Sequence, residues 1–79
     1  MAVVRYFASA RAAAGVSEEV VAATTLGELR STLADRHGER LAAVLRVASF
    51  LVDGVAWRDP DAPLPRDATV DVLPPFAGG

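Results

Sequence analysis

The carboxyl-terminal run Pro74-Pro75-Phe76-Ala77-Gly78-Gly79 carries the most specific chemistry in the chain. Two prolines fix φ and remove two backbone donors, so a strand cannot continue through them. They favour an extended, polyproline-like exit from the folded body. Gly78 and Gly79 lack a Cβ, so their backbone fits a slot too narrow for any other residue. Fully extended, such a segment reaches roughly 20 Å. It ends on a carboxylate, and the pattern is that of a reactive end group delivered into another protein's active site. A frayed terminus or a cloning scar would also end in two glycines. The strand-like run directly before the tail favours the first reading.

The rest of the chain offers little that could react alone. There is no cysteine, hence no disulfide, thiolate metal site or thiol nucleophile. The eight basic residues are all arginine, so the chain forms no Schiff base and accepts no isopeptide bond on a side-chain amine. Any ammonium the chemistry needs must come from a partner. His37 has no second histidine to join it, which suits a structural role in a last helical turn. No nucleophile–base pair, phosphate loop or metal cluster is visible. A net charge of −2 leaves no electrostatic footprint for nucleic acid. The Leu41–Trp57 stretch is broken by Arg46 and Asp53, short of a membrane span, and Met1–Arg5 lacks the basic and long apolar regions expected of a signal peptide. The expectation is a cytoplasmic protein. With 52% hydrophobic residues, 79 residues support one small core.

Those elements must carry the tail, and the pattern predicts them in order. Ala2–Ala8 reads as a strand with Val4 and Tyr6 inward and Arg5 and Phe7 on the wetter side. Ser9 is placed to cap a short helix over Ala10–Ala14, which Gly15 ends and on which Arg11 is a surface cation. Ser17–Ala23 is a weaker strand whose faces are ambiguous. Thr25-Leu26-Gly27-Glu28 matches a capping box, and Leu26, Leu29 and Leu33 form one apolar stripe of a helix that Gly38 stops. Glu39–Arg46 is a second helix, Ala48–Val52 a strand, Asp53-Gly54 a turn and Val55–Arg58 a short returning strand. Trp57 there is either core or an exposed anchor. Leu64 plugs the Asp59–Pro65 loop into the core. Thr69–Leu73 is the last strand, with Val70 and Val72 inward and Asp71 in solvent. Two strands, a long helix and three more strands describe an α+β fold. Its mixed five-stranded sheet packs on one main helix with short extra helices, and its first and last strands are parallel neighbours. That is the ubiquitin-like β-grasp arrangement, with a body over 1–73 and a flexible tail over 74–79.

At this point the chain resembles the ubiquitin-like sulfur carriers, most closely the molybdopterin synthase small-subunit (MoaD) family. The residues that carry the resemblance are Val4–Ala8 with Arg11 and Gly15, Thr25–Arg30, Leu51–Gly54 and Ala68–Gly79. The Gly-Gly end is shared with ubiquitin and the thiamin carrier (ThiS). The Ser9–Gly15 insert and Pro74-Pro75 are more specific to the molybdopterin branch. The chain departs from the family at Phe76-Ala77, where Val-Thr is more familiar, and at Asp53, where Asn is common.

The resemblance implies a reaction sequence. An E1-like (MoeB-like) enzyme adenylates the Gly79 carboxylate with ATP and magnesium, and a sulfur donor converts the acyl-adenylate into a thiocarboxylate. The carrier then threads Pro74, Pro75, Phe76, Ala77 and Gly78 into the large synthase subunit (MoaE-like), where the sulfur reaches cyclic pyranopterin monophosphate. The carrier itself binds no cofactor. Phe7 and Leu73 correspond to positions that meet the large subunit, and Trp57 and Arg11 join them as candidate partner contacts. A carrier for thiamin, cysteine or transfer-RNA thiolation, a protein modifier and an inert interaction module are the alternatives.

Overall fold

The computed structural model describes residues 1–75. Its elements are β1 (Ala2–Tyr6), α1 (Ser9–Ala14), β2 (Glu18–Val21), α2 (Leu26–His37), α3 (Glu39–Val47), β3 (Ser49–Val52), β4 (Val55–Ala56) and β5 (Thr69–Leu73). The strands form one mixed sheet in the order β2-β1-β5-β3-β4. β1 and β5 are parallel, with Tyr6 beside Val72, and every other pairing is antiparallel. This is the β-grasp architecture expected from the sequence.

α2 begins where the cap chemistry puts it. Thr25 Oγ1 accepts from the Glu28 backbone N–H at 3.1 Å, while Glu28 Oε1 accepts from the Thr24 N–H at 2.8 Å. The reciprocal bond of the capping box therefore reaches one residue further back than expected, to Thr24. Leu26, Leu29 and Leu33 turn one face of α2 onto the sheet and are fully buried. Gly38 ends α2 and starts α3 at φ 91°, a conformation that any Cβ would strain, so the two helices meet at one residue. Leu41 and Leu45 of α3 complete the core with Val4, Val70 and Val72.

The structure corrects two details. The residue preceding α1 is Ala8, at φ 50° and without a side-chain cap, and Ser9 is the first helical residue. Asp71 lies on the outer side of the sheet, as alternation requires, yet is 8% exposed. Its strand is central, so Arg5 on β1 and Leu51 on β3 flank it. Leu64 packs against the core as expected, and its N–H bonds Thr24 O at 2.8 Å, tying the 57–65 loop to the start of α2. Among the described residues no helix is long and apolar enough to cross a membrane.

Candidate functional site

β5 delivers the chain to its end. Hydrogen bonded to β1 on one side and β3 on the other, it places Leu73 opposite Ser49 at the end of the central strand, where Pro74 and Pro75 leave without regular structure. Pro74 is half-buried and Pro75 exposed. Phe76, Ala77, Gly78 and Gly79 lie outside the described residues, and so does most of the expected tail.

Phe7 follows β1, and its N–H bonds Val72 O at 3.3 Å, which continues the parallel register and sets Phe7 alongside Leu73. Phe7 is 40% exposed, a large apolar side chain left in water where the chain departs. Arg5 fixes one side of it: the guanidinium carbon stands 5.9 Å from the ring centroid, a cation–π contact. Arg5 is itself held by Asp71 in a fork, Nε to Oδ1 at 2.6 Å and Nη2 to Oδ2 at 2.9 Å. The hydrogen bond to Asp71 and the charge of Asp71 raise the Arg5 pKa further above its ordinary value.

The structure brings Phe7 and Leu73 together but not Trp57. The Trp57 N–H bonds Phe50 O at 2.9 Å, so Trp57 shares the inner side with Phe50 and packs against the core from the β4 end. Its indole Nε1 is buried without a hydrogen-bond partner. Arg11 stands exposed on α1, whose first turn starts from a bond between Ala10 N–H and Phe7 O. It borders a shallow depression shared with Ala8, Gly15 and Ser17.

A second polar cluster was not legible in the sequence. Glu19 on β2 accepts from Tyr6 Oη at 2.6 Å and Arg36 Nη1 at 2.6 Å, and pairs with His37 Nε2. Burial pushes the Glu19 carboxyl up, but the hydrogen bonds from Tyr6, Arg36 and His37 outweigh it and hold the group below its usual value. Burial, then the bond to Glu19, pushes the Tyr6 phenol well above its usual value. The cluster locks β2, β1 and the end of α2 together, which gives His37 its structural role. The Arg5–Asp71 pair did have a signal: opposite charges on the outward positions of two adjacent strands.

Residues 4–79 match the ThiS family. The chain belongs to the ThiS family. This ThiS-family protein is a ubiquitin-like sulfur carrier or modifier of the ThiS/MoaD type. Its fold is similar to subunit 1 in a complex of subunits 1 and 2 of the molybdopterin-converting factor from Helicobacter pylori. That likeness is at 26% identity and TM-score 0.74, over 99% of this chain and 97% of that one. It is similar to a putative molybdopterin-converting factor subunit 1 from Pyrococcus furiosus, at 23% identity and TM-score 0.77, over 95% of this chain and 97% of that one. It is also similar to the small archaeal modifier protein 1 from Methanosarcina acetivorans, at 20% identity and TM-score 0.79, over 99% and 95%. None of the curated proteins matches the chain. The fold is therefore shared by molybdopterin-converting factor subunits and small archaeal modifiers alike.

Proposed function

We propose that this chain is the sulfur-carrier small subunit of a molybdopterin synthase. The observation that carries the reading is the placement of the chain's exit. The central strand ends beside Phe7 and Leu73, an apolar patch the core leaves uncovered, and the sequence then runs through two prolines to Gly78-Gly79. The likeness to subunit 1 of a two-subunit molybdopterin-converting factor supports this branch and a large-subunit partner.

The chemistry assigned to the chain is that of an activated acyl group. The Gly79 carboxylate attacks the α-phosphorus of ATP in an E1-like partner with magnesium, releasing pyrophosphate. The resulting mixed anhydride gives the carbonyl carbon a good leaving group, AMP, which a carboxylate alone lacks. A sulfur nucleophile from a donor protein displaces AMP, and the donor's remaining bond to that sulfur is cleaved reductively by thiols to leave the thiocarboxylate. In the large subunit the thiocarboxylate sulfur is transferred to cyclic pyranopterin monophosphate. The cations that hold the anionic sulfur and phosphate are assigned to the partner.

The test is intact mass after incubation with the activating enzyme, ATP, magnesium and a sulfur source. The expected product has one oxygen of Gly79 replaced by sulfur, and it should convert cyclic pyranopterin monophosphate when the large subunit is added. Deleting Gly79 should abolish the mass change while leaving the melting temperature unaltered. The ThiS-family match favours one alternative, a carrier for another sulfur pathway. A chain that gains sulfur but supports no conversion with the large subunit would select that alternative.

A further inference from the structure

The outer side of the sheet is organised in three rows running across the strands. At one end lie Val20 and Val3, paired in register, with Val20 53% exposed. At the other lie Phe7 and Leu73. Between them the register aligns Glu18 on β2, Arg5 on β1 and Asp71 on β5. Arg5 and Asp71 satisfy each other, whereas the Glu18 side chain is exposed and makes no hydrogen bond or ion pair among the described residues. It acts on Arg5 through its charge alone. The middle row therefore carries one net negative charge, located at Glu18, between two rows that are apolar at Val20 and Val3 and at Phe7 and Leu73, and that Thr69 and Ser49 continue.

A protein that covers both apolar rows must also cover this charge. Burying a carboxylate without a donor is costly, so the covering surface has to bring a cation or strong donor to it. A third carboxylate is disfavoured, because Glu18 and Asp71 already outnumber Arg5. We propose that the outer side of the sheet docks a partner presenting an arginine or lysine to Glu18, and that the Glu18–Arg5–Asp71 row sets the register of that docking. This rests on the carrier reading for the identity of the partner, the large synthase subunit. The fork on Asp71 keeps Arg5 ordered before docking, so little side-chain freedom is lost there.

The experiment titrates wild type, Glu18→Gln, Glu18→Arg and Phe7→Ala against the large subunit and, separately, the adenylating enzyme, at low and high salt. Melting curves check that the exposed Glu18 positions leave the fold intact. Phe7→Ala should weaken binding. Glu18→Gln should weaken it about tenfold at low salt, Glu18→Arg by more, and both losses should shrink at high salt because exposed charges are screened. If Glu18→Arg binds within about twofold of wild type under conditions where Phe7→Ala is weakened, the charged row is not a recognition element and the proposal fails. It also fails if neither substitution matters, which would leave sulfur transfer through the tail standing. Glu18-dependent binding to the adenylating enzyme without any binding to the large subunit would uphold the charged row and overturn the molybdopterin assignment. Binding to neither partner would overturn both.

Discussion

Replacing Glu19 with alanine removes one carboxylate and strands the groups that converge on it. Arg36 is 44% exposed, so water takes over its bond and the loss there is about 0–1 kcal/mol. Tyr6 is 2% exposed, and a buried hydroxyl left without an acceptor costs about 1–3 kcal/mol. The combined loss is about 1–4 kcal/mol at neutral pH, set against a total of roughly 4–12 kcal/mol for a chain of this length. Thermal unfolding should then shift down by roughly 4–30 °C. The pH dependence gives an independent readout. A carboxyl held low in the folded state contributes stability that is present above its unfolded value of about 4.3 and lost as pH falls through the folded pKa. Glu19→Gln should therefore flatten the acid limb of the stability curve. Tyr6 is raised in the folded state, so its contribution is full below the unfolded value of about 10 and declines as pH rises past it. Tyr6→Phe should remove that alkaline decline. An alanine variant melting within about 2 °C of wild type, with the acid limb of Glu19→Gln unchanged, would refute the reasoning.

Leu33 is fully buried between α2 and the sheet, and Leu33→Ala should cost about 2–5 kcal/mol in urea unfolding. Phe7→Ala and Leu73→Ala should each weaken binding to the large subunit by about 2 kcal/mol, with a smaller loss of folding stability than Leu33→Ala. Titration beside a melting curve checks this, and unchanged affinity with a collapsed melting point would make both core residues. Gly27→Ala should fail to give the gain of about 1 kcal/mol that alanine brings to a helix. Its Cβ would meet Pro60 O at 3.2 Å, and moving that loop would sacrifice the Gly27 N–H to Pro60 O bond of 2.9 Å. A Gly27→Ala variant that melts higher than wild type would show that the loop yields freely.

What the sequence made legible was whatever a short window decides. The Thr25 cap, the Leu26–Leu29–Leu33 stripe and the alternation in β1 and β5 each depend on neighbours within a few residues. The β1–β5 adjacency followed once the order of elements matched a β-grasp. What stayed hidden depended on distant segments. Asp71 reads as a solvent residue from alternation alone, and its burial follows from its strand having Arg5 on one side and Leu51 on the other. Glu19 in Glu18-Glu19-Val20-Val21 could face either way until α2 brought Arg36 and His37 over it. Gly27 looks like a weak point in a helix, and its reason is Pro60, more than thirty residues later in sequence. Trp57 was ambiguous because β4 is two residues long, too short for alternation to assign a face.

The position of the tail in the sheet bears on how a carrier of this kind would work. Hung from β4, an edge strand of two residues paired to β3 alone, a tail would move with every opening of that edge. β5 is instead paired through four residues to β1 and four to β3, and Val70 and Val72 beneath it are fully buried. Opening it requires breaking two ladders and the core together, so the point where Pro74 departs is among the last places to yield. The two prolines extend that rigid anchor by limiting the directions in which the chain can leave. On the sulfur-carrier reading this is the property required, because a partner that grips Phe7 and Leu73 then receives the reacting end at a defined distance and bearing. On the same reading, the two glycines would let that end enter a channel too narrow for any side chain.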